Sequence, residues 1–210
     1  MSSHLPTPSL IASWPDFTPK RPLSILVSGC LAEMPVGYDG STYGEHPHIK
    51  SLMALPNVKA TVFCPENFSF GTPRALCDIH GGDGYDVLAG KARVLTVDGQ
   101  DWTDGMIAAA REMLRIAQEN DVRLAVLMDI SGACGSQVIY GGTRPNAPYI
   151  ASQGVCAALL LQNDITVVSQ RDFKTLHHIW RKLDPSIPDR DDLLDHHEIE
   201  WYRDYFGATH

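Results

Sequence analysis

The sequence predicts an α/β fold of three layers, with helices on both faces of a mostly parallel sheet in a Rossmann-like topology. Short apolar runs rich in β-branched residues recur along the chain, and stretches with the apolar spacing of helices separate them. This alternation is typical of strand–helix–strand units. With 210 residues, 44% of them hydrophobic and 20% charged, the chain has the length and composition of one or two globular domains.

Four apolar runs are predicted to be strands buried on both faces, because each is continuous and ends at turn residues. They are Leu23–Val27, Val58–Phe63, Arg123–Met128 and Asp164–Val168. Ligands of open α/β sheets bind at the carboxyl ends of such strands. Neither the GxGxxG pattern nor the P-loop pattern occurs in the chain, which argues against a dinucleotide or P-loop nucleotide site.

The clearest predicted helix is Trp102–Glu119, in which Met106, Ala110 and Met113 recur at three- and four-residue steps. Shorter helices are predicted at His48–Leu55, Gln153–Gln162, Phe173–Leu183 and Leu193–Phe206. The stretch 67–99 is rich in Gly, Pro and Asp and is predicted to be irregular, apart from one strand at Ala92–Val97.

These patterns divide the chain into three parts. Residues 1–22 are rich in proline and serine and are expected to form an extended arm on the surface. Residues 23–170 form the predicted α/β catalytic domain. Residues 171–210 form a predicted helical C-terminal extension packed on that domain.

Charge and hydropathy exclude two classes of partner. The net charge of −8 argues against a protein that binds duplex nucleic acid through a broad basic face. No apolar run approaches the roughly 20 residues of a membrane helix, and the first residues lack the pattern of a signal peptide. We therefore expect a soluble cytoplasmic protein of undetermined oligomeric state, whose odd number of cysteines, five, does not form a disulfide framework.

Three of the five cysteines directly follow predicted strands. Cys30, Cys64 and Cys134 lie just beyond the first, second and third strands, so the sheet would bring them to one edge. Cysteine is also common at buried positions, and one such cysteine would mean little. Three thiolates at one edge suit zinc or an iron–sulfur cluster. Three protein ligands leave one iron of a four-iron cluster open, and an open metal position can act as a Lewis acid.

Two alternatives to a cluster enzyme remain open on these grounds. One is a metal-binding module, carrying zinc or a cluster without turnover. The other is a cluster-free enzyme in which Cys64 or Cys134 acts as a nucleophile. Cys156 lies in the middle of an apolar predicted helix and is expected to be a core residue.

Several motifs resemble the DUF523 family, which includes the thiouracil desulfidases. They are Val27-Ser28-Gly29-Cys30, Cys64-Pro65-Glu66, Gly71-Thr72-Pro73-Arg74, the block from Gly81 to Val94, Ser131-Gly132-Ala133-Cys134-Gly135 and Gly154-Val155-Cys156. The resemblance implies a 4Fe-4S cluster on Cys30, Cys64 and Cys134, and removal of sulfur from a thiolated uracil base or nucleotide. It also implies that Glu66 and Ser131 are catalytic. The chain departs from the family pattern at Ala133, where many members have a serine.

A nucleotide substrate would also require a phosphate-binding group. Arg74 and Arg144 lie beside glycine-rich segments, and an arginine fork with backbone amides is a common anion site. We predict that this pair binds substrate, as an alternative to solvated loop charge. The run Asp195-His196-His197-Glu198 lacks the HExxH order of a metalloprotease, and a structural or surface role is expected for it.

Overall fold

The computed structural model describes residues 4–207. Its strands, in chain order, are β1 (Leu23–Ser28), β2 (Val58–Phe63), β3 (Cys77–His80), β4 (Arg93–Thr96), β5 (Leu124–Leu127), β6 (Ile139–Tyr140), β7 (Tyr149–Ile150) and β8 (Thr166–Ser169). Its helices are α1 (Pro8–Ala12), α2 (Pro47–Met53), α3 (Pro65–Phe70), α4 (Gly84–Leu88), α5 (Thr103–Glu119), α6 (Val155–Leu161), α7 (Phe173–Leu183) and α8 (Glu200–Phe206). Two short 3-10 helices span Gly29–Ala32 and His196–Glu198.

The central sheet has four parallel strands in the order β2-β1-β5-β8. Val27 of β1 pairs with Val62 on one side and Val126 on the other, which fixes the register of β2, β1 and β5. The connection from β2 to β5 crosses back over β1, so the strand order reverses between β1 and β5. Such a reversal opens a crevice at the carboxyl edge of the sheet.

Helices cover both faces of this sheet, which confirms the predicted three-layer α/β fold. On one face α5 and α6 pack against the strands through buried residues such as Met106, Met113 and Leu160. On the other face α2 and α7 contribute Ile49 and Ile179. The strand residues alternate between the two cores, as expected for strands buried on both faces.

The stretch 67–99 is more ordered than the sequence predicts. It contains the antiparallel pair β3–β4 and the helix α4, besides most of α3. Asp83 starts α4 through a capping box with Asp86, which stabilises a helix of only five residues. The predicted strand at Ala92–Val97 is confirmed as β4.

The two ends of the chain also differ from expectation. Residues 8–12 form α1 rather than extended chain, and Ile11 and Trp14 are buried in the core between α1 and α7. The helix predicted at Leu193–Phe206 is divided into a 3-10 helix and α8, because Asp195 and Glu198 form a capping box around the 3-10 turn. No helix within residues 4–207 combines the length and apolar character that crossing a bilayer requires.

Candidate active site

A cavity of about 380 Å³ opens at the carboxyl edge of the parallel sheet. Its wall includes all seven residues that the sequence predicts for the site, namely Cys30, Cys64, Glu66, Arg74, Ser131, Cys134 and Arg144. Each cysteine comes from a different strand end. Cys30 lies in the 3-10 helix after β1, Cys64 is the N-cap of α3 after β2, and Cys134 lies in the loop after β5. The sheet therefore gathers residues that are distant in sequence.

The three thiols lie in a poorly solvated environment and influence one another electrostatically. Burial raises the pKa of Cys30 to about 12, and the neighbouring Cys64 and Glu66 add to that shift. Burial, followed by Cys156, raises the pKa of Cys134 well above its ordinary value, although a hydrogen bond from Ser28 opposes the shift. Without a cation these groups are thiols, and a bound metal would favour their thiolate forms.

Close packing sets the position of Cys64. A Cβ on Gly29 would lie 3.2 Å from Cys64 Cβ, so the glycine before Cys30 lets the two loops approach. Cys64 Sγ also accepts a hydrogen bond from the Asn67 amide at 3.4 Å. This local bond orients the side chain towards the start of α3.

Three thiols share the cavity, and the spacing of such thiols decides how many metal atoms they could hold. Within residues 4–207, no three His, Cys, Asp or Glu side chains lie together in an arrangement that could hold one metal ion. Ligands of one zinc all bind at about 2.0–2.3 Å from it and crowd together. In a four-iron cluster each thiolate binds a different iron, so the cysteines stand farther apart. A shared cavity lined by three separate thiols is compatible with that geometry.

Glu66 is held by an ion pair at the start of α3. Arg74 Nη2 donates to Glu66 Oε2 at 2.7 Å, and only 3% of the Arg74 side chain is exposed. The other terminal nitrogen of Arg74 donates to the carbonyls of Val36 and Gly71 and to the Thr72 hydroxyl. Burial opposes a charge on Arg74, but Glu66 outweighs burial and the pKa of Arg74 is raised. Arg74 thus fixes the carboxylate in the cavity wall.

Ser131 lies three residues before Cys134, and its hydroxyl faces the same loop. Ser131 Oγ accepts hydrogen bonds from the amides of Ala133 at 3.3 Å and Cys134 at 3.1 Å. The hydroxyl proton has no acceptor in the described part of the chain and is available to a molecule in the cavity. Ser131 therefore both shapes the cysteine loop and offers a donor.

Arg144 is also paired with a carboxylate. Its Nε donates to Asp78 Oδ2 at 2.9 Å, and its guanidinium lies 4.7 Å from the centre of the Tyr140 ring. Burial raises the pKa of Asp78, and Arg144 opposes that shift. Both predicted phosphate-binding arginines therefore already have a protein partner in this structure.

Several cavity residues were not expected from the sequence. Cys77 lies on β3, and its thiol is 3.9 Å from Glu66 Oε1. Tyr140 and Tyr149 face each other on the β6–β7 hairpin with ring centres 5.0 Å apart. Arg171 is exposed at the cavity, and no carboxylate pairs with its guanidinium within residues 4–207. These contacts come from segments far apart in the chain, so local sequence patterns do not signal them.

The chain is similar to known proteins in both sequence and structure. The sequence pattern of the 2-thiouracil desulfurase family matches residues 25–172. A Bacillus subtilis (strain 168) protein, the uncharacterized protein YbbK, is 37% identical over 153 residues, which are 72% of this chain and 99% of the relative. In structure, the chain is similar to the 4Fe-4S-dependent thiouracil desulfidase TudS (DUF523Vcz). The TM-score is 0.59 at 32% identity, covering 70% of this chain and 89% of that one.

The family match extends from β1 to the residue after Arg171. It includes every strand of the parallel sheet and all seven predicted site residues. Family and structural neighbour together indicate a thiouracil desulfidase enzyme. The chain therefore belongs to the 2-thiouracil desulfurase family, DUF523.

Proposed function

We propose that this protein is a 4Fe-4S-dependent desulfidase of thiolated uracil. It would convert 2-thiouracil, 4-thiouracil or 4-thiouridine monophosphate into the oxo compound and hydrogen sulfide. One observation carries the proposal: three cysteines from three strand ends share a cavity with a paired carboxylate and a serine hydroxyl. All five cysteines are free, which supports a reducing compartment such as the cytoplasm.

Cys30, Cys64 and Cys134 would hold the cluster, each through one thiolate. When bound, the cluster supplies a soft Lewis acid that polarises the carbon–sulfur double bond. The overall reaction exchanges sulfur for the oxygen of water, with release of hydrogen sulfide. Carbon keeps its oxidation state, so the reaction needs no external electrons.

Glu66 is suited to accept a proton from the attacking water. Its Oε2 is held by Arg74 at 2.7 Å, while Oε1 faces the Cys77 thiol at 3.9 Å. Those contacts orient the carboxylate without removing its capacity to bind a proton. A positioned carboxylate of this kind contributes roughly 10²–10⁴-fold to a hydrolytic rate.

Ser131 is suited to orient the water or the base. Its oxygen accepts hydrogen bonds from the Ala133 and Cys134 amides, which leaves the hydroxyl as a donor at the cavity wall. A donor at this place can bond an oxygen or ring nitrogen of the substrate. The tyrosines of the β6–β7 hairpin offer aromatic faces on which a pyrimidine can stack.

Substrate phosphate would bind to one or more of the three arginines in the wall. The sequence predicts Arg74 and Arg144, each of which is paired with a carboxylate here. Arg171 has no such partner within residues 4–207, so its charge is uncompensated. An uncompensated guanidinium at a cavity attracts phosphate more strongly than a neutralised one.

Anaerobic reconstitution tests the proposed function. The purified protein is treated with iron and sulfide, its metal content is measured, and it is then assayed on thiouracils and on 4-thiouridine monophosphate for release of hydrogen sulfide. We expect about four irons per chain and turnover that the Cys30→Ala variant lacks. Tight binding of zinc without turnover would instead indicate a metal-binding module. Full activity without metal would indicate cysteine nucleophilic catalysis.

A further inference from the structure

The buried carboxylate of Asp129 organises the loop that follows β5. Asp129 Oδ1 accepts hydrogen bonds from the backbone amides of Ser136, Gln137 and Val138, at 3.0, 3.1 and 3.1 Å. These three amides come directly after Cys134 and Gly135. One side chain therefore closes the loop that begins with Ser131, and it does so at the edge of the active-site cavity.

The second oxygen of Asp129 is bound by the C-terminal extension. His196 Nδ1 lies 2.6 Å from Asp129 Oδ2, and both side chains are completely buried. Because the carboxylate only accepts, Nδ1 carries the proton of this bond. Burial raises the pKa of Asp129, but the His196 bond, with those of the loop amides, outweighs burial and lowers it. The carboxylate stays ionised, with both oxygens occupied.

His196 is itself firmly held. Its backbone amide donates to Asp172 Oδ1 at 3.1 Å, and Asp172 lies in the short segment between β8 and α7. Its ring is stacked on Trp201, with centres 5.6 Å apart and planes 7° apart, and meets Tyr202 edge-on. Asp172 also accepts a bond from the Gln137 side chain in the same loop. The contact thus joins the ends of β5 and β8 to the 3-10 helix and α8.

We propose that His196 is a positioning residue of the desulfidase site. It acts through the Asp129 carboxylate on the loop that carries Ser131 and Cys134. The catalytic part of this proposal rests on the proposed desulfidase function. His196 lies beyond the family-matched segment 25–172, in the part of the chain that the sequence predicts to be a C-terminal extension.

Without His196, one oxygen of a fully buried carboxylate would lose its partner. Asp129 would then rotate or draw in water, and its three amide bonds would weaken. The stretch 132–133 is held separately by α6, because Val155 and Cys156 donate to the carbonyls of Gly132 and Ala133. Cluster binding should therefore persist, whereas Ser131 and the segment 136–138 lose their fixed place.

The test compares His196→Phe with Leu23→Ala. His196→Phe keeps the ring against Trp201 but removes the donor, and Leu23→Ala weakens the core at the amino end of β1, away from the carboxyl edge of the sheet. In His196→Phe we expect wild-type iron content, faster amide hydrogen exchange at residues 136–138, and a kcat lowered about tenfold or more. Leu23→Ala should lower the Tm and leave that exchange and kcat within about twofold of wild type.

A second pair of variants keeps the proposal testable if His196→Phe does not fold. His196→Asn places a donor near the position of Nδ1, and His196→Gln places one near Nε2. His196→Asn should show the slow amide exchange at residues 136–138 and the kcat of the wild type, whereas His196→Gln should show neither. The proposal is overturned if His196→Asn and His196→Gln behave alike, if exchange at residues 136–138 is unchanged in His196→Phe, or if Leu23→Ala loses kcat equally. Exchange is measured on cluster-free protein, so inactivity of the loaded wild type would refute only the proposed function.

Discussion

Glu66 is oriented by an ion pair, and its two carboxylate oxygens have different partners. Arg74 holds Oε2 from a buried position, so the carboxylate keeps its direction when the substrate changes. Within residues 4–207, Oε1 meets the Cys77 thiol, a weak donor. Replacing Glu66 and Arg74 one at a time distinguishes the role of the pair in orienting the carboxylate from its role in proton transfer.

Glu66→Gln should therefore assemble the cluster and lose turnover. The amide keeps the size and most of the hydrogen bonds but cannot exchange a proton, so kcat should fall by about 10²–10⁴-fold. Iron content and the visible spectrum should match those of the wild type, because no cysteine has changed. Near-full activity of Glu66→Gln with an intact cluster would show that water or another group moves the proton.

Replacing the three cavity arginines one at a time distinguishes phosphate binding from positioning. Loss of a phosphate contact should weaken binding of the thiolated nucleotide by about 1.5–3 kcal/mol, seen as a higher KM, and leave the free thiobase unaffected. The sequence predicts this for Arg74→Ala and Arg144→Ala, while the unpaired charge of Arg171 predicts it for Arg171→Ala. A variant that lowers kcat equally on the nucleotide and the free thiobase has lost a positioning contact. The ion pair with Glu66 favours this outcome for Arg74→Ala.

Sequence reasoning located the cysteines because each follows a strand that its own apolar residues define. It could not find Cys77 or Arg171, since their place in the cavity depends on where β3 begins and β8 ends relative to distant loops. The sequence predicts a structural or surface role for His196. It does not reveal the contact with Asp129, which lies 67 residues away. Contacts of that separation leave no local pattern.

The helix α6 docks on the cysteine loop through a glycine. A Cβ on Gly154 would lie 2.7 Å from the carbonyl oxygens of Ser131, Gly132 and Ala133, which is closer than van der Waals contact allows. The Gly154 amide also donates to the Gly135 carbonyl at 2.8 Å. The start of α6 and the site loop therefore form one packed unit.

Gly154→Ala should disrupt the packing of α6 against the cysteine loop, and Gly132→Ala should not. The first clashes with three carbonyls and should cost about 1–3 kcal/mol of unfolding free energy, with loss of iron uptake. The second, in the same loop, introduces a Cβ whose nearest neighbours lie 3.7 Å away on Asp78 and Ile79 of β3. Denaturant unfolding and iron content measure both effects. Equal behaviour of the two variants would contradict the packing argument.

At the level of elements, continuous apolar runs and helical spacing were sufficient for the parallel sheet, α5, α6 and α7. The stretch 67–99 was harder to predict from sequence, because β3 carries the charged residue Asp78 in a buried position. Arg144 stabilises that charge through an ion pair. A charged residue at a buried position of a short strand interrupts the alternation of apolar and polar residues that predicts a strand. The helix α1 was missed because its support comes from Ile11 contacting a core formed by later elements.

The buried His4 should make the molecule lose stability as the pH falls from 6.5 towards 4. Burial lowers the pKa of His4 from 6.5 to about 4, and Asp129 offsets only part of that shift. Below pH 6.5 the unfolded chain takes up a proton that the folded chain refuses, so stability falls as the pH drops towards 4. Denaturant unfolding of the cluster-free protein at several pH values should show this decline, and His4→Phe should flatten it. The same slope in both proteins would exclude His4 as its source.

The order of the chain sets when the site can be completed during translation. The ligand candidates Cys30 and Cys64 leave the ribosome first, but Cys134 and the strand β8 that borders β5 follow much later. Parallel strands pair only after their crossover segments exist, and N-terminal segments begin to fold earlier. The bond from His196 to Asp129 is added later still. A ribosome-bound chain that stops before residue 196 should therefore display all three cysteines but lack the contact that supports the loop after β5.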